Sequence, residues 1–314
     1  MRVLVTGGAG FIGSHVTDAL LARGDDVLVL DDLSAGRPAR LDPQVAMHKL
    51  SITDAGALGA AVTAFGPELI CHLAAQIDVR ASVDAPAADA GVNVLGTVNL
   101  LEAAREAGAR VLFASSGGAL YGQNAPIPSL EEVLPLPESP YGMGKYCAEC
   151  YLGLYNRLHG TRHSVLRLAN VYGPRQDPGG EAGVVTIFCA SALAGRPPTI
   201  YGDGTQTRDY VYVGDVVRAF LAAGDSGRPG TWNIGAGVEV SVLDLLAIIG
   251  MAAGRTVRPV FAPPRPGELQ RSAVDPGRAA SELGWHADVP LSAGVRAVYR
   301  WIEAGAPDRA ACMP

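Results

Sequence analysis

The chain has 314 residues, 48% of them hydrophobic and 18% charged, and its 25 Lys and Arg against 31 Asp and Glu leave a formal charge of −6. Disordered tails and coiled coils have a different composition, and a mildly acidic chain without a basic run is a poor match for nucleic acid or an anionic membrane. No run approaches the ~18 apolar residues of a membrane span. The opening Met1–Thr6 carries no signal-peptide pattern, and five scattered cysteines suit a reducing compartment, so the cytoplasm is the expected location.

Short apolar, β-branched runs at Val3–Val5, Val27–Leu30, Leu69–Cys71 and Val111–Phe113 alternate with helical-period stretches at Ile12–Arg23, Ala55–Ala64, Ser82–Ala107 and Pro140–His159. Continuous apolar strands between amphipathic helices predict a doubly wound parallel α/β sheet of the Rossmann type, with Val165–Leu168 as a further strand. After Tyr172 the texture changes to Gly- and Pro-rich loops, as in Gly173–Gly180 and Pro263–Gly267. The expected division is a dinucleotide-binding domain over 1–170, rejoined by part of 207–235, and a smaller α/β lobe over 171–314 that carries the substrate. Long loops in a compact protein are expected to line a ligand cleft.

Thr6-Gly7-Gly8-Ala9-Gly10-Phe11-Ile12-Gly13 follows the first strand and opens the first helix. Glycines at 7, 10 and 13 permit a tight turn, backbone approach to a pyrophosphate, and packing of helix on sheet. The helix N-terminus offers N–H groups and partial positive charge to phosphate. Asp31 ends the second strand, where a carboxylate accepts the hydroxyls of an adenosine ribose and repels a 2′-phosphate. NAD is therefore favoured over NADP, although Arg37 lies in the loop that follows.

Tyr141 and Lys145 are four residues apart, so a helix places both on one face. A neighbouring ammonium favours the phenolate, and the pair is expected to act as a base near neutral pH beside an oxidised nicotinamide.

With these motifs in place, the chain resembles the extended short-chain dehydrogenase/reductase superfamily of nucleotide-sugar enzymes, and most closely its bacterial UDP-glucose 4-epimerases. The resemblance runs over essentially the whole chain. It rests on the cradle, His72-Leu73-Ala74-Ala75-Gln76, Asn93-Val94-Leu95-Gly96-Thr97, Ser115-Ser116-Gly117-Gly118-Ala119-Leu120-Tyr121-Gly122 and the Tyr141/Lys145 pair. It continues through Arg167–Arg175, Tyr201–Val211, Pro264–Glu268 and Leu283-Gly284-Trp285.

The resemblance implies that Tyr141 takes the proton of the sugar 4-hydroxyl while a resident NAD accepts the C4 hydride. Lys145 holds the cofactor ribose and lowers the tyrosine's pKa, and a 4-keto sugar turns over before the hydride returns. It implies further cofactor contacts at Gly7, Gly10, Phe11, Ile12, Gly13, Asp31, Ile52, Leu73, Ala74, Ala75 and Asn93. Substrate contacts are implied at Ser116, Asn170, Ile200, Tyr201, Arg208, Arg265 and Glu268, with Ile200 and Tyr201 flanking the uracil. A homodimer through the two long helices is also implied.

Two positions depart from the family pattern. Gly117 stands where relatives place the relay Ser or Thr, so Ser116 is taken as the third catalytic member with Ser115 in reserve. Ser51 stands where relatives often carry an Asp. The Gly117-Gly118-Ala119-Leu120 segment lacks the carboxylate of sugar dehydratases and decarboxylases, which favours simple epimerisation. Small Ser272 is expected to leave room for an N-acetyl group, extending the substrates to UDP-GlcNAc and UDP-GalNAc. The alternatives are a UDP-glucuronate 4-epimerase or other nucleotide-sugar enzyme, and a non-catalytic dinucleotide-binding regulator. Cys147-Ala148-Glu149-Cys150 lacks the surroundings of a redox or zinc motif, His15 and His72 have no ligand-spaced partners, and no metal is expected.

Overall fold

The computed structural model describes residues 1–177, 183–265 and 269–309. Its first half alternates β1 (Arg2–Thr6), α1 (Phe11–Ala22), β2 (Asp26–Asp31), β3 (Ala46–Lys49), α2 (Ala55–Phe65) and β4 (Leu69–His72). There follow α3 (Val79–Asp84), α4 (Pro86–Ala90), a π-helical turn over Gly91–Gly96, α5 (Thr97–Ala107), β5 (Arg110–Ser116), α6 (Gly117–Leu120), α7 (Pro140–His159) and β6 (Ser164–Leu168). The second half holds β7 (Asn170–Tyr172), α8 (Val184–Leu193), β8 (Thr199–Tyr201), β9 (Thr207–Arg208), β10 (Tyr210–Tyr212), α9 (Val213–Ser226) and β11 (Thr231–Ile234). It ends with β12 (Val240–Ser241), α10 (Val242–Ala252), β13 (Val260–Ala262), α11 (Gly277–Leu283) and α12 (Leu291–Glu303).

Seven strands form one sheet in the order β11-β6-β5-β4-β1-β2-β3, and every pair is parallel. Apolar side chains fill both faces, because helices cover both. One face packs Val3, Val5 and Leu166 against α1 and α9, and the other packs Leu4, Ile70 and Phe113 against α2, α5 and α7. Strand order reverses between β1 and β4, which opens a crevice at their C-terminal ends where such sheets bind ligands.

The long helix read over Ser82–Ala107 is interrupted. Pro86 has no N–H and disfavours helical geometry at Ala85, so α3 stops at Asp84 and the chain restarts at Pro86. The continuous helix Pro140–His159 has clear ends. Ser139 accepts from Gly142 N at 3.1 Å, Pro140 sits at the first helical position, and Gly160 closes it at φ +64°.

A smaller lobe packs Tyr172, Phe188, Ile200, Leu245 and Val298 around α8, α10 and α12. The chain leaves the sheet after β6 and returns with α9 and β11. It returns again where Val274, Ala279 and Trp285 pack with the main sheet's core, a crossing that the boundary at 171 does not include. Among the described residues, no helix is long and apolar enough to cross a membrane.

Candidate active site

The cradle is built by close approach of backbone to backbone. Gly7 has φ +69°, and a Cβ there would stand 2.6 Å from Ala74 N. At Gly13 a Cβ would meet Gly7 O at 2.1 Å. The adjoining turn after β4 is tied to the same place, because Leu73 N donates to Thr6 O at 3.1 Å and Ala74 N to Thr6 Oγ1 at 3.3 Å. Gly10 begins α1 without a side-chain cap, as a phosphate-binding helix end requires. Phe11 and Ile12 are half-buried in its first turn, Phe11 edge-on to His15.

Asp31 is buried at the end of β2 and accepts from Ala9 N and Leu33 N, each at 2.9 Å. Burial pushes its carboxyl above the usual range, and these two bonds pull it back. Arg37 is paired with Asp177 and lies 3.7 Å from Asp308, so it is already engaged by carboxylates. A cradle that any Cβ would obstruct, an uncapped helix start and a carboxylate at the second strand's end fit NAD.

Tyr141 and Lys145 rise from α7 against the end of β5. Lys145 is 4% exposed, donates to Ala114 O at 2.9 Å, and lies 4.8 Å from the Phe113 ring centroid and 6.0 Å from that of Tyr141. The Ser116 hydroxyl adjoins the Tyr141 phenol and pulls its pKa down. Adjacent Ser115 faces the other way and donates to Glu149 Oε1 at 2.5 Å. Gly117 is where crowding demands it, since a Cβ would meet Val274 Cγ1 at 2.7 Å and Arg167 O at 3.2 Å. A side chain at 117 would be crowded here, which leaves Ser116 as the neighbouring hydroxyl that acts on the phenol.

At Tyr141, burial works against the lowering expected from Lys145 and a bound nicotinamide. Burial pushes the phenol up to about 12, the Ser116 hydrogen bond pulls it down, and Asp89 pushes it up again. Burial lowers Lys145 to about 8, opposed by Asp89 and Glu149. Desolvation of the phenolate therefore outweighs a lysine that is not in contact with the phenol.

Three further residues of the sequence reading are placed as follows. Asn93 is buried with its amide engaged internally: Oδ1 accepts from Gln76 N at 3.0 Å, and Nδ2 donates to Gln76 O at 2.9 Å and Asp89 Oδ1 at 3.0 Å. It fastens the loop after Ala75 to the π-helical turn. Ile52 is 4% exposed, with its side chain in the core against Gly96. Ile200 is 1% exposed within the lobe core, because side chains alternate along β8 and the outward one is Tyr201.

Tyr201, Gln206, Phe261, Arg265 and Gln270 line a cleft of about 640 Å³. The Arg265 guanidinium stacks 3.7 Å above the Tyr201 ring centroid. Arg208 lies on β9 and donates to Thr207 O at 2.8 Å. Asn170 is exposed on β7, where a Cβ on Gly118 would stand 3.4 Å from its Oδ1. Ser272 lines a narrow crevice with Gly117 and Gly118. Glu268 lies outside the described residues.

Two groups beside the pair are absent from the sequence reading. Glu149 forms a buried ion pair with Arg167 at 2.7 Å, and Arg167 Nη1 also donates to Tyr121 Oη at 2.9 Å. Glu149 falls two turns after Tyr141 and one after Lys145, a spacing that already put it on their face. Asp89 is 1% exposed and its Oδ2 has no hydrogen-bond partner. Its signal was a position four residues before Asn93. No group of metal-ligating side chains occurs among the described residues.

A doubly wound sheet with a dinucleotide cradle and a helical tyrosine–lysine pair defines a class of nicotinamide-using enzymes. The chain belongs to the NAD dependent epimerase/dehydratase family, whose model matches residues 3–235. It is 50% identical over 301 residues to a UDP-glucose 4-epimerase of Mycolicibacterium smegmatis, covering 94% of this chain and 96% of that one. The UDP-glucose 4-epimerase of Thermotoga maritima, solved with UDP-glucose, superposes with a TM-score of 0.95 at 43% identity, covering 97% of this chain and 99% of that one. The Thermus thermophilus UDP-glucose 4-epimerase, solved with NAD, gives a TM-score of 0.91 at 42% identity over 96% and 99% of the two chains.

Proposed function

We propose that this chain interconverts UDP-glucose and UDP-galactose at C4 as a resident-NAD epimerase of the cytoplasm. The observation that carries the reading is the Tyr141–Lys145 pair one turn apart on α7, with Lys145 buried against the end of β5, in a fold whose glycine cradle is shaped for a dinucleotide. NAD supplies the hydride acceptor and donor when bound. Gly7, Gly10, Phe11, Ile12 and Gly13 hold its pyrophosphate, Asp31 its adenosine ribose, and the 73–75 turn packs against it. Tyr141 takes the proton from the sugar 4-hydroxyl and returns it. Ser116 positions that hydroxyl, and Lys145 would hold the cofactor ribose. The Tyr201–Arg265 stack receives the uracil, while Arg208, Arg265, Glu268 and Asn170 fix the diphosphate and sugar.

The small side of the sugar site, Gly118 opposite Asn170 and Ser272 near Gly117, supports acceptance of a 2-N-acetyl group. A homodimer through these helices is supported by apolar side chains left exposed on α3, the π-helical turn and α7: Val83 at 61%, Leu95 at 57%, Met143 at 48% and Leu158 at 66%. The test is incubation of the purified protein, without added NAD, with UDP-glucose, UDP-GlcNAc and UDP-glucuronate separately, resolving the C4 epimers. Turnover of UDP-glucose is expected, with UDP-GlcNAc following. Turnover of UDP-glucuronate alone overturns the assignment.

A further inference from the structure

Asp89 is a buried carboxylate with only half of its hydrogen-bonding capacity used. Its Oδ1 accepts from Gln76 Nε2 and Asn93 Nδ2, each at 3.0 Å, whereas its buried Oδ2 has no partner. Leaving a charged oxygen dry and unpaired is costly, so a fold that retains one is expected to use it. Oδ2 faces α7 through a slot made by Gly144, where a Cβ would stand only 3.0 Å from it. That slot lies three residues after Tyr141 and one before Lys145, so the carboxylate abuts the stretch of helix that carries the pair.

We propose that Asp89 is a positioning residue for the reaction: its carboxylate, admitted by Gly144, fixes the charge state of the Tyr141–Lys145 pair through the dry interior between α4 and α7. The proposal rests on Tyr141 and Lys145 being the catalytic pair.

Burial raises the Asp89 carboxyl, while the Asn93 hydrogen bond, the Lys145 charge and the Gln76 hydrogen bond pull it back, and the other ionisable groups facing it are engaged or neutral. On α7, Glu149 is neutralised by Arg167 of β6 and bonded by Ser115. His72 on β4 is held neutral by burial, which lowers it to about 3. α6 and the π-helical turn carry no titratable group, and β5 offers Lys145 only the Ala114 carbonyl and the Phe113 face. On α3, Arg80 and Asp84 are exposed, and Glu102 of α5 is spent on Arg105 and Tyr155. A negative charge favours the protonated form of both neighbours, and Asp89 acts in that direction on Lys145 and on Tyr141.

The experiment is the pH profile of kcat for UDP-glucose epimerisation in the wild type and Asp89→Asn, which keeps size and the Oδ1 acceptor. Removing the charge lowers the pKa of both neighbours. Both limbs of the profile are therefore expected to move acid-ward, the alkaline limb by about one unit. Such a shift costs about tenfold in rate above both limbs, because one pKa unit is tenfold in protonation. KM for UDP-glucose is expected to stay within about twofold. A uniform loss at all pH values, or a fall in melting temperature with unmoved limbs, would make Asp89 merely structural and overturn the proposal. Should Asp89→Asn not fold, Gly144→Ala, whose methyl displaces Oδ2, must move the limbs the same way, and unmoved limbs there are equally fatal. Tyr141→Phe separates the two claims: retained activity overturns the pair itself, whereas lost activity with unmoved Asp89→Asn limbs overturns only this inference.

Discussion

Replacing Glu149 tests the support beneath the pair most directly. Its carboxylate receives Arg167 Nη2 at 2.7 Å and Nε at 3.1 Å, and also the Ser115 hydroxyl at 2.5 Å, with both charged side chains 7% exposed. Removing one partner of a buried pair strands the other, at about 3–5 kcal/mol. Arg167 would retain only Tyr121 Oη at 2.9 Å and Glu131 O at 3.2 Å, neither of them anionic. Glu149→Ala is therefore expected to lose about 4 kcal/mol in urea unfolding at pH 7, read from the midpoint at constant slope. The double variant Glu149→Leu with Arg167→Met removes both charges and is expected to recover more than half of that loss. A cost below about 1 kcal/mol for Glu149→Ala, typical of a solvated surface pair, refutes the reasoning. So does a double variant no better than the single one.

Four other outcomes follow from the site. Tyr141→Phe is expected to reduce kcat by about 10²–10⁴-fold with UDP-glucose binding retained, measured by epimer formation and by titration calorimetry. Gly13→Val drives a side chain into Gly7 O, and the purified variant is expected to carry no NAD by absorbance and mass spectrometry after denaturation. Asp31→Ser removes the charge that opposes a 2′-phosphate, so the ratio of NADP to NAD affinity is expected to rise by at least tenfold; an unchanged ratio places selectivity elsewhere. Burial lowers His15 and His163 to about 4 and His72 to about 3, so the unfolded chain binds these protons first as pH falls below about 6.5. Stability is accordingly lost between about pH 6.5 and 3. Asp209, raised by burial to about 6, and Asp31, Asp89 and Asp215, raised in the same direction, oppose the trend only at the acid end, as pH falls toward the ordinary carboxylate range. A melting temperature flat from pH 7.5 to 5 contradicts this.

Where chemistry is local in sequence, it was legible. The glycines at 7, 10 and 13, the acid at 31 and the four-residue step from Tyr141 to Lys145 each fix geometry within one turn or one strand. What depends on tertiary approach was not. Neighbouring serines at 115 and 116 point to opposite sides of a strand, and only the placement of α7 decides which meets the phenol. The same alternation sends Ile200 inward and Tyr201 outward. Pro86 was a visible helix breaker inside the span read as one helix. Asp89 carries no motif, and its importance appears only when α4 docks at Gly144. The direction of the Tyr141 shift depends on burial, which residue spacing does not measure.

The repeated crossings of the chain between sheet and lobe have a mechanical consequence. Two bodies joined by a single tether can swing apart like covers on a spine. Here α9, β11 and α11 are laced into the sheet's core while α10 and α12 belong to the lobe, so opening would have to peel several packed segments at once. Sugar entry and turnover in such a vessel fall to its rim, the loops around Tyr201 and Arg265, and not to a gaping of the halves.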